Sequence, residues 1–140
     1  MSIKLNQIVI GDNNPFVLIA GPCVVENEKM IFETAMAIKQ IAADLDIPFI
    51  FKSSFKKANR TNLKSFTGLG DKESIAILKK VREQLNLSVV TDIHTESDVD
   101  MVVDAVDILQ IPAFLSRQTD LLIAAGKSGK VVNIDRKSVV

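Results

Sequence analysis

Short apolar runs alternate with longer amphipathic stretches along most of this chain. The apolar runs have the length of β-strands and cover Phe16 to Ala20, Phe49 to Phe51, Leu87 to Val90, Val106 to Ile111 and Val131 to Ile134. Strands that are apolar on both faces are typical of a buried parallel sheet. The alternation therefore predicts an α/β protein.

Four amphipathic stretches between these runs are predicted to be helices. The longest, Glu28 to Leu45, has an apolar face of Ile31, Ala35, Ile38, Ile41, Ala42 and Leu45. The second, Asp71 to Leu85, has Asp71 as its expected N-terminal cap. Shorter helices are predicted at Glu96 to Val103 and Gln118 to Lys127.

The first residues have a different pattern, with Ile3, Leu5 and Ile8 to Ile10 followed by the turn-rich stretch 11–15. This pattern predicts a short hairpin. We find no linker or repeat, so residues 1–140 are expected to form a single domain. Its parts are a hairpin at 1–14, five strand-helix units at 15–134 and an atypical tail at 135–140.

Two architectures fit five strand-helix units in this length. One is a flavodoxin-like doubly wound sheet, and the other is the first five units of a TIM (β/α)8 barrel. Polar or reactive side chains follow successive strands, namely Cys23, Glu26, Lys52, Asp92, His94, Gln110, Arg117 and Asn133. This distribution favours the barrel, because its active site is built at the carboxyl ends of many strands.

Composition narrows the function classes. The formal net charge is 0, whereas nucleic-acid and membrane-surface partners require a basic excess, so neither partner is expected. One cysteine excludes an internal disulfide. We find no signal-peptide pattern and no membrane-spanning run, so a cytoplasmic location is expected.

The segment from Phe51 to Thr61 concentrates positive charge after a predicted strand. It contains Lys52, Lys56, Lys57 and Arg60 within nine residues. Lysine supplies a point charge for phosphate, and arginine a planar fork. A solvated basic loop explains the segment about as well as an anion site does.

Together with three other segments, this one resembles the 3-deoxy-D-manno-octulosonate 8-phosphate (KDO-8-phosphate) synthases, also called 2-dehydro-3-deoxyphosphooctonate aldolases. The matching segments are Ile19 to Cys23, Phe51 to Arg60, Thr91 to His94 and Gln110 to Asp120. The resemblance covers residues 1–134, the amino-terminal half of the family's barrel. The related 3-deoxy-heptulosonate 7-phosphate synthases typically have Lys-Pro-Arg-Thr where this chain has Lys57-Ala58-Asn59-Arg60.

The resemblance implies an enzyme that condenses phosphoenolpyruvate with arabinose 5-phosphate and water, releasing phosphate, for lipopolysaccharide KDO biosynthesis. It implies phosphoenolpyruvate contacts from Lys52, Lys57, Gln110 and Arg117. Arabinose 5-phosphate would be bound by Asn59, Arg60 and Thr61. The resemblance further implies catalytic roles for Lys52, Lys57, Asn59 and Asp92.

Cys23, taken alone, is most simply a small buried hydrophobic residue. Within Gly-Pro-Cys it resembles the metal-ligating cysteine of the metal-dependent family members, whereas metal-independent members have Asn there. The implied cofactor is a divalent metal, Mn²⁺, Fe²⁺ or Zn²⁺, with further ligands beyond this chain. His94, the only histidine, is expected to support the site or contact a substrate water.

The tail from Asp135 to Val140 departs from the family pattern, and the elements expected from strands six to eight do not follow it. Five barrel strands alone are expected to expose sheet edges and apolar inner faces, so this exact chain is expected to associate or to be inactive. The resemblance implies a homo-oligomer, because the full-length members of the family are usually tetramers. The alternatives are a heptulosonate-phosphate synthase using erythrose 4-phosphate and a non-catalytic fragment that binds phosphorylated metabolites.

Overall fold

A computed structural model of the protein describes residues 2–57 and 69–136. The amino-terminal part is an antiparallel hairpin of strands β1 (Ser2–Leu5) and β2 (Ile8–Gly11). Its two-residue turn begins at Asn6, which has a positive φ of 52°. Asparagine adopts this conformation more readily than most residues, which favours a tight turn here. The predicted hairpin is therefore confirmed.

The remaining strands form one parallel sheet whose order follows the chain. The strands are β3 (Leu18–Ala20), β4 (Phe49–Lys52), β5 (Ser88–Asp92), β6 (Ile108–Ile111) and β7 (Val131–Ile134). A flavodoxin-like sheet would have the order 2-1-3-4-5, with a reversal point inside it. The sequential order and the curl of the sheet instead confirm the barrel prediction, as a half-barrel of five strands.

Helices connect successive strands of the sheet. They are α1 (Glu28–Asp44), α2 (Asp71–Gln84), α3 (Glu96–Val102) and α4 (Thr119–Lys127), with a 3-10 turn at Ala113–Leu115. Asn27 caps the amino end of helix α1, and its side chain accepts a hydrogen bond from the backbone N–H of Met30. Such a cap satisfies one of the free N–H groups of a helix end. Within the described ranges, no helix is long and apolar enough to cross a membrane.

Alternation along each strand separates the two faces of the sheet. In β4, Phe49 and Phe51 belong to the core between the sheet and the helices, whereas Ile50 belongs to a second core on the inner face. Successive side chains of a strand point to opposite faces, so Lys52 shares the inner face with Ile50. The carboxyl end of the inner face is consequently polar.

The hairpin covers the amino end of the inner face. Its Leu5 packs with Ile50, Val90 and Ile108, and all four residues are buried. The expectation that the apolar inner faces would be exposed is therefore wrong for the central strands. It holds at the edge strand β3, where Ile19 is 41% exposed.

Several details differ from the sequence-based predictions. Ile41 and Leu45 of the first helix are 58% and 62% exposed, so the buried stripe is narrower than expected. Asp71 is the first helical residue, and the cap position belongs to Gly70. Strands β3 and β6 begin two residues later than predicted. Hydropathy identifies an apolar face but cannot show which part of it a neighbouring element covers.

Candidate active site

The carboxyl ends of the central strands bring polar side chains together on the inner face. Lys52 is the last residue of β4 and Asp92 is the last residue of β5. Gln110 pairs in register with Asp92 on one side and with Asn133 on the other. The Asn133 side-chain amide donates a hydrogen bond of 2.9 Å to Oε1 of Gln110. The two predicted residues Lys52 and Asp92 thus lie near each other at the carboxyl edge of the sheet, where its strands end.

Lys52 and Asp92 are linked through the hydroxyl of Ser54. Nζ of Lys52 donates to Oγ of Ser54 at 3.2 Å, and that hydroxyl donates to Oδ2 of Asp92 at 2.7 Å. Nζ of Lys52 also lies 3.4 Å from Oδ1 of Asp92. Both side chains are mostly buried, at 22% and 16% exposed, so their attraction is less screened than at the surface. This network fixes the direction of the Lys52 ammonium.

Cys23 is positioned by the backbone of the loop that follows β3. A Cβ atom added at Gly21 would lie 2.0 Å from the carbonyl oxygen of Lys52, so only glycine permits this approach of β3 to β4. Beyond it, Val24 forms a parallel bridge with Ser54. The Ser54 N–H donates to the Cys23 carbonyl at 3.3 Å. These bonds hold Cys23, which is exposed, beside the Lys52–Ser54 segment.

Asp98, in the first turn of α3, is a buried carboxylate beside this edge. Its Oδ2 accepts the backbone N–H groups of His94 and Thr95 at 2.8 and 3.1 Å, and its Oδ1 accepts Nζ of Lys56 at 2.7 Å. Burial raises the pKa of Asp98, but the interactions with His94 and Lys56 outweigh burial and hold that pKa well below its usual range. Asp98 is therefore ionised at neutral pH.

A cavity of about 180 Å³ opens at this edge. Four predicted site residues line it, namely Cys23, Lys52, Lys57 and Asp92. His94 lines it as well, together with four residues that sequence reasoning did not select: Ser54, Lys56, Pro112 and Phe114. Strand alternation offered a signal for Ser54, because it is two residues after Lys52. Pro112 and Phe114 lie in the Gln110 to Asp120 segment of the resemblance.

The other predicted residues are not among those lining the cavity. Gln110 is half-buried on the inner face, one strand from Asp92, and Arg117 is exposed after the 3-10 turn. Asn59, Arg60 and Thr61 lie outside the described residues. Their predicted roles in binding the sugar phosphate stay predictions.

Three polar groups at the cavity make no hydrogen bond among the described residues. Lys57 is exposed and has neither an ion pair nor a hydrogen bond there, whereas Lys52 and Lys56 each face a carboxylate. Oδ1 of Asp92 and Nδ1 of His94 are buried without a hydrogen bond, although Oδ1 lies 3.4 Å from Nζ of Lys52 and Nδ1 lies 3.6 Å from Oδ2 of Asp98. Buried polar atoms usually have partners, so both are candidate contacts for a bound molecule. The arrangement suits an anion that also carries hydroxyl groups.

The residues present do not by themselves form a metal site. Within 2–57 and 69–136, no group of three His, Cys, Asp or Glu side chains could hold a metal ion. A protein metal site of catalytic type needs about three protein ligands. Cys23 can therefore supply at most one ligand of a site whose other ligands lie outside the described residues.

A larger cavity lies at the opposite end of the sheet. It has a volume of about 450 Å³ and is lined by the hairpin turn and by the amino ends of β4 and β5, including Asn6, Phe49 and Ser88. Asn6 donates a hydrogen bond of 2.9 Å to Oγ of Ser88 there. None of the predicted site residues lines this cavity.

The fold and the site define a partial (β/α)8 barrel with a lysine-rich cavity at the carboxyl ends of its strands. A model of the DAHP synthetase I family matches residues 1–139, so the chain belongs to that family.

Similar proteins bear a more specific name. The chain is 53% identical over 134 residues to the 2-dehydro-3-deoxyphosphooctonate aldolase of Paraburkholderia xenovorans (strain LB400), covering 96% of this chain and 47% of the relative. It is 51% identical over 135 residues to the protein of that name from Desulfatibacillum aliphaticivorans, covering 96% and 50%. The chain thus spans about half the length of the curated relatives it matches.

Proposed function

We propose that this chain carries the phosphoenolpyruvate half of the active site of a KDO-8-phosphate synthase. The reaction joins carbon 3 of phosphoenolpyruvate to the aldehyde carbon of D-arabinose 5-phosphate. Water adds at carbon 2, the bond from carbon 2 to the phosphate oxygen breaks, and inorganic phosphate leaves. The names of the relatives support this choice within the family.

The observation that carries the proposal is the pairing state of the cavity lysines. Phosphoenolpyruvate is a small polyanion, and Lys57 is the lysine there without a protein partner among the described residues. The Lys52 ammonium has a fixed direction but is only partly neutralised, because Asp92 Oδ1 lies at 3.4 Å rather than in a short hydrogen bond. Two such ammonium groups can hold a phosphate and a carboxylate.

The proposal assigns the individual side chains the roles that the resemblance implies. Lys57 stabilises the negative charge that moves onto the substrate as the carbon–carbon bond forms. Asp92 orients Lys52 through Ser54, and its Oδ1, which makes no hydrogen bond, accepts one from a sugar hydroxyl. Gln110 and Arg117 complete the phosphoenolpyruvate contacts, while Asn59, Arg60 and Thr61 bind the sugar phosphate.

The test is calorimetric titration of the chain with phosphoenolpyruvate, followed by phosphate release with arabinose 5-phosphate and Mn²⁺. We expect binding that Lys57→Gln weakens by about tenfold, the usual scale for one charge-assisted contact. Gln is uncharged and of similar length. Lys127→Gln, on the exposed last turn of α4, is the matched control. Absence of heat at millimolar phosphoenolpyruvate would contradict the proposal.

One finding favours a second sugar substrate, because the matching family model is described as DAHP synthetase. A heptulosonate-phosphate synthase would use erythrose 4-phosphate instead. A protein extended to the length of its relatives should prefer arabinose 5-phosphate when the two aldoses are compared. A preference for erythrose 4-phosphate would reverse the assignment.

A third candidate is a non-catalytic fragment that binds phosphorylated metabolites without turning them over. Because the chain spans about half the length of its relatives, binding and turnover must be tested separately. Binding of phosphoenolpyruvate without phosphate release would identify that case. Phosphate release abolished by EDTA would show instead that the chain assembles a complete metal-dependent site.

We further propose a divalent metal, Mn²⁺, Fe²⁺ or Zn²⁺, bound by the Cys23 thiolate and by ligands outside the described residues. Thiolate is a ligand suited to Zn²⁺ and Fe²⁺. In a full-length form, Cys23→Ser should lower the bound metal measured by elemental analysis, with phosphoenolpyruvate binding retained. An unchanged metal content would remove Cys23 from the site.

The remaining expectations concern the setting of the enzyme. We propose a homo-oligomer, a tetramer for the full-length protein, and a cytoplasmic location. Sedimentation velocity of the full-length form tests the first of these, with a monomer at micromolar concentration as the contrary result.

A further inference from the structure

Lys56 lines the cavity beside Lys57, yet its ammonium faces protein groups. Nζ lies 2.7 Å from Oδ1 of Asp98 and 3.9 Å from Oδ2 of Asp71. It also lies 5.0 Å from the ring centroid of Phe55, a distance that allows a cation–π interaction. Lys56 therefore has three intramolecular partners, whereas its neighbour Lys57 has none among the described residues.

Asp98 uses both carboxylate oxygens. Oδ1 binds Lys56 in the loop after β4, and Oδ2 binds the backbone of His94 and Thr95 in the loop after β5. The Asp98 side chain is 2% exposed, so water cannot replace a lost partner. One buried carboxylate thus joins the two loops that carry the candidate site residues.

We propose that Lys56 and Asp98 form a positioning pair, which sets Lys57 at a fixed distance from Asp92 and His94. Lys56 itself does not bind the substrate. The proposal deepens the proposed function, because the positioned residues are those assigned to phosphoenolpyruvate. It also explains why two adjacent lysines at one cavity have different roles.

Removing the charge of Asp98 should change phosphoenolpyruvate affinity in opposite directions under the two interpretations of Lys56. If Lys56 were a substrate ligand, Asp98→Asn would free a cation and remove a negative charge, so phosphoenolpyruvate would bind more tightly. A positioning pair predicts the reverse. The carboxamide oxygen that this substitution introduces can still accept the backbone N–H bonds, so the change removes the negative charge that faces Lys56 and the nearby Nδ1 of His94.

The first experiment measures phosphoenolpyruvate affinity by calorimetry. We expect Lys56→Gln and Asp98→Asn each to weaken binding by about fivefold, and the double variant to be no weaker, because both act through one interaction. Lys56→Arg should restore the affinity to within about twofold, since arginine keeps the charge. Tighter binding by Asp98→Asn, or additive losses in the double variant, would overturn the proposal.

The second experiment does not depend on the substrate. His94 is the only histidine, so its ring protons give one identifiable set of NMR signals. Lys56→Gln and Asp98→Asn should both move these signals, whereas Asp100→Asn, on the exposed part of the same helix, should not. A double-mutant cycle in urea tests the same pair. The effects of Lys56→Gln and Asp98→Asn on the unfolding equilibrium constant should depart from additivity by about tenfold.

The two experiments separate the two claims. If the wild-type chain does not bind phosphoenolpyruvate, the proposed function fails, and the NMR signals and the unfolding cycle decide the positioning pair. A coupling below about twofold, with unmoved His94 signals, overturns the pair whatever the substrate result.

Discussion

The two ends of the same sheet differ in how completely their polar groups are paired. At the amino end, Asp107 accepts Arg82 Nε and the backbone N–H of Val89, each at 3.0 Å. At the carboxyl end, Lys57 has no partner among the described residues, and Asp92 Oδ1 and His94 Nδ1 have no hydrogen bond. The amino end nevertheless holds the larger cavity, about 450 Å³ against about 180 Å³.

This difference shows that unpaired polar groups identify the candidate site better than volume does. Paired groups such as Arg82 and Asp107 stabilise the fold and leave little capacity for a ligand. Unpaired groups lower stability, and a fold retains them where a ligand uses them. The following predictions test whether the amino end mainly stabilises the fold and the carboxyl end binds the proposed ligand.

The largest effect should come from Gly21→Val, which disrupts the carboxyl end directly. The new Cβ would lie 2.0 Å from the Lys52 carbonyl oxygen, so the backbone of β3 or β4 must move. We expect the free energy of unfolding to fall by more than about 3 kcal/mol in urea titration.

The control for that prediction is Gly126→Ala in α4. A Cβ at this position meets nothing within 4 Å, so helix propensity should raise stability by about 0.5–1 kcal/mol. A Gly21→Val chain as stable as the wild type would show that the close approach of β3 to β4 is not required.

The second prediction compares a basic residue from each end. Arg82→Gln leaves the buried Asp107 without its cation, so unfolding free energy should fall by about 1–3 kcal/mol with phosphoenolpyruvate affinity unchanged. Lys52→Gln should instead weaken phosphoenolpyruvate binding by about tenfold or more, with a smaller effect on stability. Calorimetry and urea titration of both variants test this. The prediction would be wrong if Arg82→Gln lowered the affinity for phosphoenolpyruvate and Lys52→Gln did not.

The smallest effect concerns acid stability at Asp98. Its pKa is lower in the folded protein than in the unfolded chain, so its contribution is present above the unfolded pKa of about 3.9. The contribution is lost as pH falls through the folded pKa. The stability gap between wild type and Asp98→Asn should therefore be full at neutral pH and narrow below about pH 4. A gap that stays constant on acidification would contradict the lowered pKa.

Much of the architecture could be predicted from local sequence. Apolar runs predicted the five parallel strands. Lys52 and Asp92 could be predicted as site residues because each lies at the carboxyl end of a strand. Hydrophobic periodicity alone could not choose between barrel and doubly wound sheet, because both have the same strand–helix rhythm, whereas the polar residues at successive strand ends favoured the barrel. The strand order decides between them, and order depends on contacts between distant segments.

The parts that sequence reasoning missed depend on such distant contacts. Lys56 and Asp98 are 42 residues apart, and neither belongs to a recognisable charge pattern with the other. Ile41 and Leu45 looked like core residues because their period is right, but no described element covers them. Asp71 has the chemistry of a cap, yet Gly70 occupies that position. The chemistry of a residue suggests such a role, but tertiary packing decides whether the residue has it.

Backbone hydrogen bonds hold the loop after β3 to the segment after β4. At position 23 the backbone therefore fixes the loop, and the side chain is left for the cavity. Cys23 is held through its carbonyl oxygen, and its neighbour Val24 through a strand-like bridge with Ser54. The bond at position 23 uses only the backbone carbonyl oxygen, which every amino acid has. A substitution at position 23 therefore changes the atom offered to the cavity without moving the loop. One amino-acid substitution at position 23 can exchange that atom, whereas a side chain at position 21 would force the backbone of β3 or β4 to move.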